Sequence, residues 1–368
     1  MRFTSERDAI TREVMIAQEI VSSRNVMSIL SNVLLEAVDG NLVVKATDLK
    51  VGFQTRISVD VSVAGSATVY CDKLLGILKS LPPGEVEFEL DSNGMLFIRP
   101  LNKKIDFKLR SVASEKYPEI QSIGDERYFE FPQADLNAMI ANTIFAVSDD
   151  ETRYFMNGIF VEKSGDRFTM VASDGRRLSY ISKPIDPAVE DIKGVIVPPK
   201  ILALVRKLLP GEGNLSICVT DRNIFVRFGD RRLSSSLIDG QFPNYKRVIP
   251  ESQQYSAVVQ KELLESALKR VSLLVEQKSR RIFLTLKDGA LVVSSEESEI
   301  GMAREEVACE YTGPDLTFAV NCLYLIEPLR EMDCEKVRLE FTDVNKALTL
   351  KPQPEEGYLN IVMPMQLD

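Results

Sequence analysis

A strand–turn–strand pattern occurs three times in this chain. Its copies begin at Val86, Leu215 and Val337, which are 129 and 122 residues apart. In the first copy, Phe88 and Leu90 continue the alternation of apolar and polar residues that is typical of a half-buried strand. A polar turn and a second strand follow in every copy. Because a period of this length corresponds to a whole domain, the sequence predicts one fold used three times.

Two helices are predicted in each copy. The helix before each hairpin has apolar residues at helical spacing, and Leu81, Leu208 and Met332 are its equivalent residues near the C-terminus. An earlier helix opens each copy, with Ile10, Leu136 and Leu263 as the equivalent apolar positions.

A further hairpin is predicted after each opening helix. Its two-residue turns have the composition that tight hairpins prefer; they are Asp39-Gly40, Gly165-Asp166 and Asp288-Gly289. Each copy therefore combines two helices with antiparallel strands, which defines an α+β fold. The predicted domains are residues 1–125, 126–252 and 253–368.

Composition excludes several classes of protein. The 368 residues include no histidine, so no Ser–His or Cys–His nucleophile system can exist. No phosphate-binding GxxxxGK[ST] loop or GxGxxG fingerprint occurs. The five cysteines are scattered without a CxxC pair, which indicates reduced thiols. No apolar run is long enough to span a membrane and no signal peptide is evident, so the expected location is the cytoplasm.

One acidic cluster leaves an enzymatic function open. Asp149, Asp150 and Glu151 are adjacent carboxylates that could hold a divalent cation. A solvated loop after the helix predicted at 134–147 is the simpler interpretation. No metal or other cofactor is therefore predicted.

The charge distribution bears on nucleic-acid binding. The net charge of −9 disfavours general binding to nucleic acid. The helix at 198–209 nevertheless contains basic residues and no acidic one. The basic residues of interest are Arg24, Lys73, Lys79, Lys200, Arg206 and Lys207. Such a face can contact phosphates weakly, although ordinary solvated helix faces would show the same pattern.

Five blocks of sequence carry a specific resemblance. They are MRFTSER at 1–7, TRYFMNGIFVE at 152–162, ASDGRRLS at 172–179, DGQFPNYKRVIP at 239–250 and IVMPMQL at 361–367. In these blocks the chain resembles the β sliding clamps, the processivity subunits of bacterial replicative DNA polymerases. The resemblance runs over the whole length and agrees with the threefold repeat.

The resemblance implies a ring without catalytic activity. Two three-domain protomers would pair head to tail around duplex DNA, with the helices lining the hole and topology holding the ring in place. The implied partners are a second copy of the chain, double-stranded DNA without sequence preference, the polymerase catalytic subunit, the clamp loader, and other polymerases and repair proteins. No membrane partner is implied.

The family also implies a hydrophobic pocket that takes short partner peptides. Its positions in this sequence are Arg153, Phe155, Met156, Ser173, Gly175, Arg177, Leu178, Pro243, Arg247, Val248, Asn321, Tyr324, Ile361, Val362, Met363, Pro364 and Met365. The chain departs from the family at three positions. The family often has a histidine in place of Arg176 and an arginine in place of Gln366, and it often ends at the leucine before Asp368. These departures bear on which peptides are preferred.

Two further sets of residues follow from the resemblance. The expected DNA contacts are Arg24, Lys79, Lys200, Arg206 and Lys207. The expected dimer interface joins Lys103, Lys104, Phe107 and Leu109 of one protomer to Leu273, Leu274, Glu296, Glu297 and Glu299 of its partner.

Two other functions stay open at the level of sequence. A triplicated peptide-binding scaffold that never meets DNA would show the same repeat. A carboxylate-dependent, metal-using enzyme such as a nuclease would depend on Asp149 or Asp150.

Overall fold

The structure is a computed structural model, and it describes residues 1–21, 28–124 and 127–366. The first third of the chain forms β1 (Arg2–Glu6), α1 (Arg7–Ile20), β2 (Asn32–Val38), β3 (Asn41–Thr47), β4 (Val51–Ser58), β5 (Asp60–Val63), β6 (Gly65–Tyr70), α2 (Cys71–Ser80), β7 (Glu85–Leu90), β8 (Met95–Pro100) and β9 (Phe107–Arg110).

The other two thirds repeat this order with one strand fewer before the second helix. The middle third forms β10 (Phe129–Pro132), α3 (Gln133–Ile144), β11 (Ile159–Ser164), β12 (Arg167–Ser173), β13 (Arg177–Pro184), β14 (Ile192–Val197), α4 (Pro199–Leu208), β15 (Asn214–Val219), β16 (Asn223–Phe228) and β17 (Arg231–Ser236). The last third forms β18 (Tyr255–Gln260), α5 (Lys261–Val271), β19 (Arg281–Lys287), β20 (Ala290–Ser295), β21 (Arg304–Glu310), β22 (Leu316–Asn321), α6 (Leu323–Glu331), β23 (Lys336–Phe341), β24 (Leu348–Gln353) and β25 (Tyr358–Val362). The predicted threefold α+β repeat is confirmed.

The predicted hairpins form where the turn residues indicate. Asp39 and Gly40 both adopt positive φ, at 49° and 72°, between β2 and β3. A two-residue turn needs this conformation to match the twist of the strands it joins. Gly165 and Gly289 also adopt positive φ in the corresponding turns, at 60° and 71°.

Two predicted equivalences are wrong by one residue. Leu264, not Leu263, corresponds to Ile10 and Leu136, because each is the fourth residue of its helix and each is buried. Leu263 is 52% exposed. Leu209, rather than Leu208, follows the last residue of α4, as Leu81 follows α2. Helical spacing leaves two adjacent apolar residues ambiguous, and packing resolves the choice.

The described chain divides into two compact units, and this division does not follow the sequence repeat. The first unit contains Met1–Pro132 and Gly213–Leu237. It holds a five-stranded sheet in the order β5-β1-β7-β8-β9 and an eight-stranded sheet in the order β10-β15-β16-β17-β4-β3-β2-β6. In the larger sheet β17 pairs antiparallel with β4, with Leu233 opposite Phe53. A single sheet therefore contains strands from two sequence repeats, and the boundaries of the three domains stay a prediction.

The second unit contains Gln133–Glu212 and Ile238–Asp368. Its twelve-stranded sheet has the order β14-β11-β12-β13-β25-β24-β23-β18-β21-β20-β19-β22. The antiparallel pairing of β13 with β25 places a strand of the middle repeat beside the last strand of the chain. The helices α3 and α4 pack together, as do α5 and α6.

The helices of the first and last repeats pack through fully buried apolar residues. Ile10, Leu74 and Leu78 are fully buried in the first unit, and Leu264 and Leu325 are fully buried in the second. All five cysteines are unpaired thiols. Within the described residues, no helix has the length and apolar character needed to cross a membrane.

Candidate functional site

Residues 363–365, which follow β25, contact two parts of the second unit. Strand β25 pairs with β13 in a register that sets Ile361 opposite Leu178 and Val362 opposite Arg177. Beyond β25, the backbone N–H of Met363 donates to the carbonyl of Arg176 at 2.9 Å, and that of Met365 donates to the carbonyl of Ala319 at 2.7 Å. The terminal segment is therefore held to the middle repeat and to the last repeat.

An apolar floor supports this segment. Met156, Leu178 and Ile361 have relative exposures of 5% or less, and Val362 is fully buried. Leu178 and Ile361 belong to one cluster with Val171, Ile196, Phe242 and Tyr245, against which Phe155 packs.

Other apolar residues of the predicted pocket are exposed. Val248 and Met363 are 44% and 41% exposed, and Pro243 is also exposed. Pro364 and Met365 are half-buried. Exposed apolar side chains over a buried apolar floor indicate a binding surface. Methionine suits such a surface because its flexible thioether adapts to different partners.

The loop before β13 is closed by its own polar side chains. Asp174 Oδ1 accepts from the N–H groups of Arg176 and Arg177 at 2.9 and 3.0 Å. Ser173 Oγ donates to the carbonyl of Arg177 at 2.7 Å and accepts from Gly175 N–H at 3.1 Å. Ser173 therefore shapes the loop.

Gly175 allows this loop to approach its neighbour. Its φ is +87°, a conformation that side chains disfavour. A Cβ at this position would lie 2.6 Å from Nη1 of Arg153 and 3.8 Å from Cε of Met156. The close approach of Arg153 to the loop therefore needs glycine.

Arg177 is held on every side within the second unit. It donates to Asp174 Oδ2 at 3.1 Å, to Glu327 of α6 and to the carbonyl of Phe145. Its guanidinium also lies 4.7 Å from the ring centre of Tyr324. Because only 11% of the side chain is exposed, Arg177 joins β13 to α6 and is not a free rim residue.

Two further predicted pocket residues lie at the end of β22 and in the first turn of α6. Asn321 Oδ1 accepts from the N–H of Leu323 at 3.0 Å, which satisfies a donor of the first helical turn. Burial raises the pKa of Tyr324, and the nearby carboxylate of Asp174 raises it further. Tyr324 is therefore a neutral hydrogen-bonding group beside Arg176 and Arg177.

The remaining rim arginines differ in their pairing. Arg153 Nε lies 2.9 Å from Asp150 Oδ2 in an ion pair. Arg247 is exposed, and its guanidinium has no hydrogen bond or ion pair to any residue that the structure describes. The Arg247 side chain is therefore available to a bound molecule.

Asp150 has a structural role in the short 3₁₀ helix Glu151–Met156. Its carboxylate accepts from the N–H of Thr152 at 3.0 Å and from the Thr152 hydroxyl. These hydrogen bonds, together with the Arg153 guanidinium, lower the pKa of Asp150. Among the described residues, no three potential ligands are grouped so that they could hold a metal ion.

Four of the five predicted DNA-contact residues lie on the helices α2 and α4. Lys200 and Lys207 are exposed on α4, and Lys79 is exposed in the last turn of α2. Arg206 Nη2 donates to Glu331 Oε2 of α6 at 2.9 Å. The basic charge of α4 is thus partly balanced from another helix. Arg24 lies outside the described residues.

The first side of the predicted dimer interface is a sheet edge. Strand β9 is an edge strand of the five-stranded sheet. Phe107 and Leu109 are half-buried and alternate with exposed Lys108 and Arg110. Lys103 and Lys104 are exposed just before the strand.

The second side combines exposed apolar and acidic residues. Leu273 is 78% exposed in a 3₁₀ turn that follows α5, and Leu274 is half-buried. Glu297 and Glu299 are exposed, whereas Glu296 pairs with Arg281 at 2.7 Å.

Sequence reasoning missed two apolar residues in the same region. Ile300 is 85% exposed and Met302 is 54% exposed. The sequence pattern that could have indicated them is the presence of two apolar residues just after the acidic residues Glu296, Glu297 and Glu299.

The repeated fold and the exposed apolar residues of the terminal segment are features of a binding subunit. Three family models match the chain: the N-terminal domain of the DNA polymerase III beta subunit at residues 1–121, its central domain at 130–244 and its C-terminal domain at 246–366. Together they cover nearly the whole sequence. The chain belongs to the DNA polymerase III beta subunit family, the beta sliding clamps.

Individual relatives agree with this family. The chain is 45% identical to the beta sliding clamp of Treponema pallidum and 30% identical to that of Escherichia coli K12, with complete coverage of each chain. A crystal structure of a Pseudomonas aeruginosa sliding clamp bound to griselimycin matches with 30% identity, complete coverage of both chains and a TM-score of 0.94. The sliding clamp of Bacillus subtilis matches in fold at 23% identity, with a TM-score of 0.96 and complete coverage of both chains.

The family establishes the kind of function. A beta sliding clamp is the non-catalytic processivity subunit of DNA polymerase III. It is a dimeric clamp that encircles DNA and binds the polymerase and other partners. The enzymatic alternative raised by the acidic cluster is therefore wrong for this chain.

Proposed function

We propose that two copies of this chain form a ring in the cytoplasm that slides on duplex DNA and holds the replicative polymerase to it. The three domains would be residues 1–125, 126–252 and 253–368. The observation that carries the proposal is the terminal segment, where Met363 is exposed directly after the buried residues Ile361 and Val362. A clamp needs such a site because sliding requires weak contact with DNA, whereas partner binding requires specific contact.

The partner site is formed by the predicted pocket residues. Met156, Leu178, Ile361 and Val362 supply the apolar floor, and Pro243, Val248 and Met363 supply exposed apolar contacts. A short peptide with one or two leucine or phenylalanine side chains suits this surface, since a few buried residues carry most of the affinity in such interfaces. The exposed guanidinium of Arg247 and the side chain of Arg176 suit the polar part of that peptide.

The ring would close through the edge of β9. An edge strand presents unpaired backbone groups that a strand of another chain can join. Phe107 and Leu109 supply an apolar face, and Leu273 with Leu274 supplies the opposing one. Lys103 and Lys104 are complementary in charge to the acidic residues Glu296, Glu297 and Glu299.

DNA contact would be weak and electrostatic. Lys79, Lys200 and Lys207 are exposed cations on the second helix of their repeats. Arg206 forms an ion pair with Glu331, so its contribution to phosphate binding is reduced. Arg24 is assigned by the resemblance alone.

A topological experiment tests the proposal. The protein is loaded by a clamp loader onto nicked circular DNA and separated from free protein by gel filtration. We expect it to remain with the circle and to leave after a restriction enzyme linearises the DNA. A scaffold that does not encircle DNA would show no difference between the circular and the linear form.

A further inference from the structure

A row of polar residues crosses the eight-stranded sheet of the first unit. Arg227 of β16 is opposite Arg232 of β17, and Arg232 is opposite Gln54 of β4. Arg56 lies two residues further along β4, on the same face. Three guanidinium groups are therefore brought together by strands that are far apart in sequence.

This face of the sheet is opposite the one that carries α1. The neighbouring Arg231 points the other way, since its guanidinium donates to both carboxylate oxygens of Glu13 on α1, at 3.1 and 2.7 Å. Phe53 and Leu233 are buried on that side, with exposures of 0% and 2%. Arg56 and Arg232 are both exposed on the opposite side.

Arg56 and Arg232 lack partners among the described residues. Neither guanidinium takes part in a hydrogen bond or an ion pair within the described chain. One other cation of this sheet, Lys45, is compensated within it. Lys45 pairs with Glu36 at 2.7 Å, whereas like charges directly opposite each other destabilise a sheet. The centre of the sheet therefore keeps an uncompensated positive charge at a cost in stability.

The same residues line a concave site. Its volume is about 250 Å³, and its lining includes Gln54, Arg56, Arg227, Arg232 and the turn residues Gly229 and Asp230. Two of these residues, Arg56 and Arg232, are cations without a partner among the described residues, in a protein whose overall charge is −9.

We propose that this site binds an acidic segment of a partner protein, at a second contact separate from the apolar pocket. Guanidinium groups hold carboxylates through paired hydrogen bonds, so Asp and Glu side chains match Arg56 and Arg232. The Gln54 amide adds a donor and an acceptor for the peptide backbone.

Two features favour a peptide over a single-stranded nucleic acid. The carboxylate of Asp230 lines the site and can accept hydrogen bonds from peptide N–H groups, which a sugar–phosphate backbone lacks. The aromatic ring that could stack on a base is already covered, because the Arg227 guanidinium lies 4.2 Å from the ring centre of Tyr128.

Fluorescence anisotropy of the full-length protein tests the proposal. The probe is a fluorescein-labelled decapeptide of alternating Asp and Glu, titrated at low and at physiological salt. We expect binding that weakens with salt, and a loss of about tenfold or more in the R56A/R232A double variant, because hydrogen bonds to charged groups are strong. A labelled dT oligonucleotide is titrated in the same way, so that binding of single-stranded nucleic acid can be compared with binding of the acidic peptide.

Lys50→Ala is the matched control. Lys50 is an exposed lysine of the same unit, outside the lining of this site, so its removal should change probe affinity less than twofold. Thermal unfolding separates a binding role from a structural one, since removal of uncompensated charges should leave the midpoint equal or higher.

Three results would overturn the proposal. They are no probe binding by the unaltered protein, equal losses in the double variant and the Lys50 control, or tighter binding of the oligonucleotide than of the acidic peptide. A lower unfolding midpoint in the double variant would assign these arginines a structural role instead. None of these results depends on the apolar pocket or on ring closure.

Discussion

At the scale of single residues, Gly175 combines a backbone requirement with a packing requirement. Gly175→Ala places a side chain at a φ of +87° and within 2.6 Å of Arg153 Nη1. We expect a loss of stability of about 1 kcal/mol or more, together with weaker binding of a partner peptide because Arg153 is displaced. Chemical denaturation and peptide titration measure the two effects separately.

Gly165→Ala is the control for Gly175→Ala. Gly165 also has a positive φ, at 60°, but a Cβ there would meet no atom within 4 Å. Its replacement should cost a similar amount of stability and leave peptide binding unchanged. If both variants bind peptide normally, the approach of Arg153 to Gly175 has no role in recognition.

The buried thiol of Cys71 should make the stability of the protein fall at alkaline pH. Burial raises the pKa of the Cys71 thiol from 9.0 to about 12, and the thiol donates to the carbonyl of Val14 at 3.7 Å. The folded protein keeps this proton after the unfolded chain has lost it. The resulting stabilisation is complete below pH 9 and is lost as the pH rises from 9 to about 12.

Urea unfolding between pH 8 and pH 10.5 measures this loss. The unfolding free energy of both proteins should fall as the pH rises. In Cys71→Ala we expect this fall to be shallower than in the unaltered protein by about 1 kcal/mol per pH unit, because one titrating proton has been removed. Burial also raises the pKa of Tyr117, so part of the alkaline loss should persist in the variant. Identical slopes in the two proteins would contradict the assignment to Cys71.

At the scale of elements, the terminal segment separates binding from folding. Residues 358–362 form β25 and pair with β13 and β24, whereas Met363 and Met365 each contribute one backbone hydrogen bond. Deletion of residues 363–368 should therefore leave a folded dimer. It should abolish stimulation of the polymerase and binding of partner peptides together.

A shorter deletion is the control for the terminal segment. Removal of residues 366–368 keeps Met363, Pro364 and Met365, so peptide binding should remain within a few-fold of the original. Wild-type peptide affinity in the longer deletion would show that the pocket lies elsewhere.

At the scale of the whole molecule, ring closure depends on apolar contact more than on charge. Leu273→Ala with Leu274→Ala should give a folded monomer, because burial of one leucine contributes about 1.5–3 kcal/mol. An exposed ion pair contributes only about 0–1 kcal/mol. Sedimentation at nanomolar protein concentration measures the outcome, and a stable dimer would contradict the assigned interface.

Leu263→Ala, on the helix α5 that precedes the 3₁₀ turn of Leu273 and Leu274, provides the comparison. Leu263 is 52% exposed on α5 but lies outside the predicted interface. Its replacement should leave the dimer intact, so a monomer in this case would point to general loss of structure rather than to the interface.

The sequence by itself determined the local elements. The positive φ values at Asp39 and Gly40, the alternation along β7 and the helical spacing of Leu74 and Leu78 each depend on residues within one turn or one strand. Local hydrogen bonds and side-chain periodicity set these features, so they could be predicted without knowledge of distant partners. The resemblance added the pocket, whose members come from five separate stretches of the chain.

Only the tertiary structure decided how the elements are shared and how charges are compensated. The pairing of Leu233 with Phe53 extends one sheet over two repeats. Glu331 balances Arg206 from 125 residues away, and Glu327 holds Arg177 from 150 residues away. Such partners meet only when the backbone has folded, because strand pairing and ion pairing depend on distance in space. For the same reason, the proximity of Arg56 to Arg232 left no pattern in the sequence.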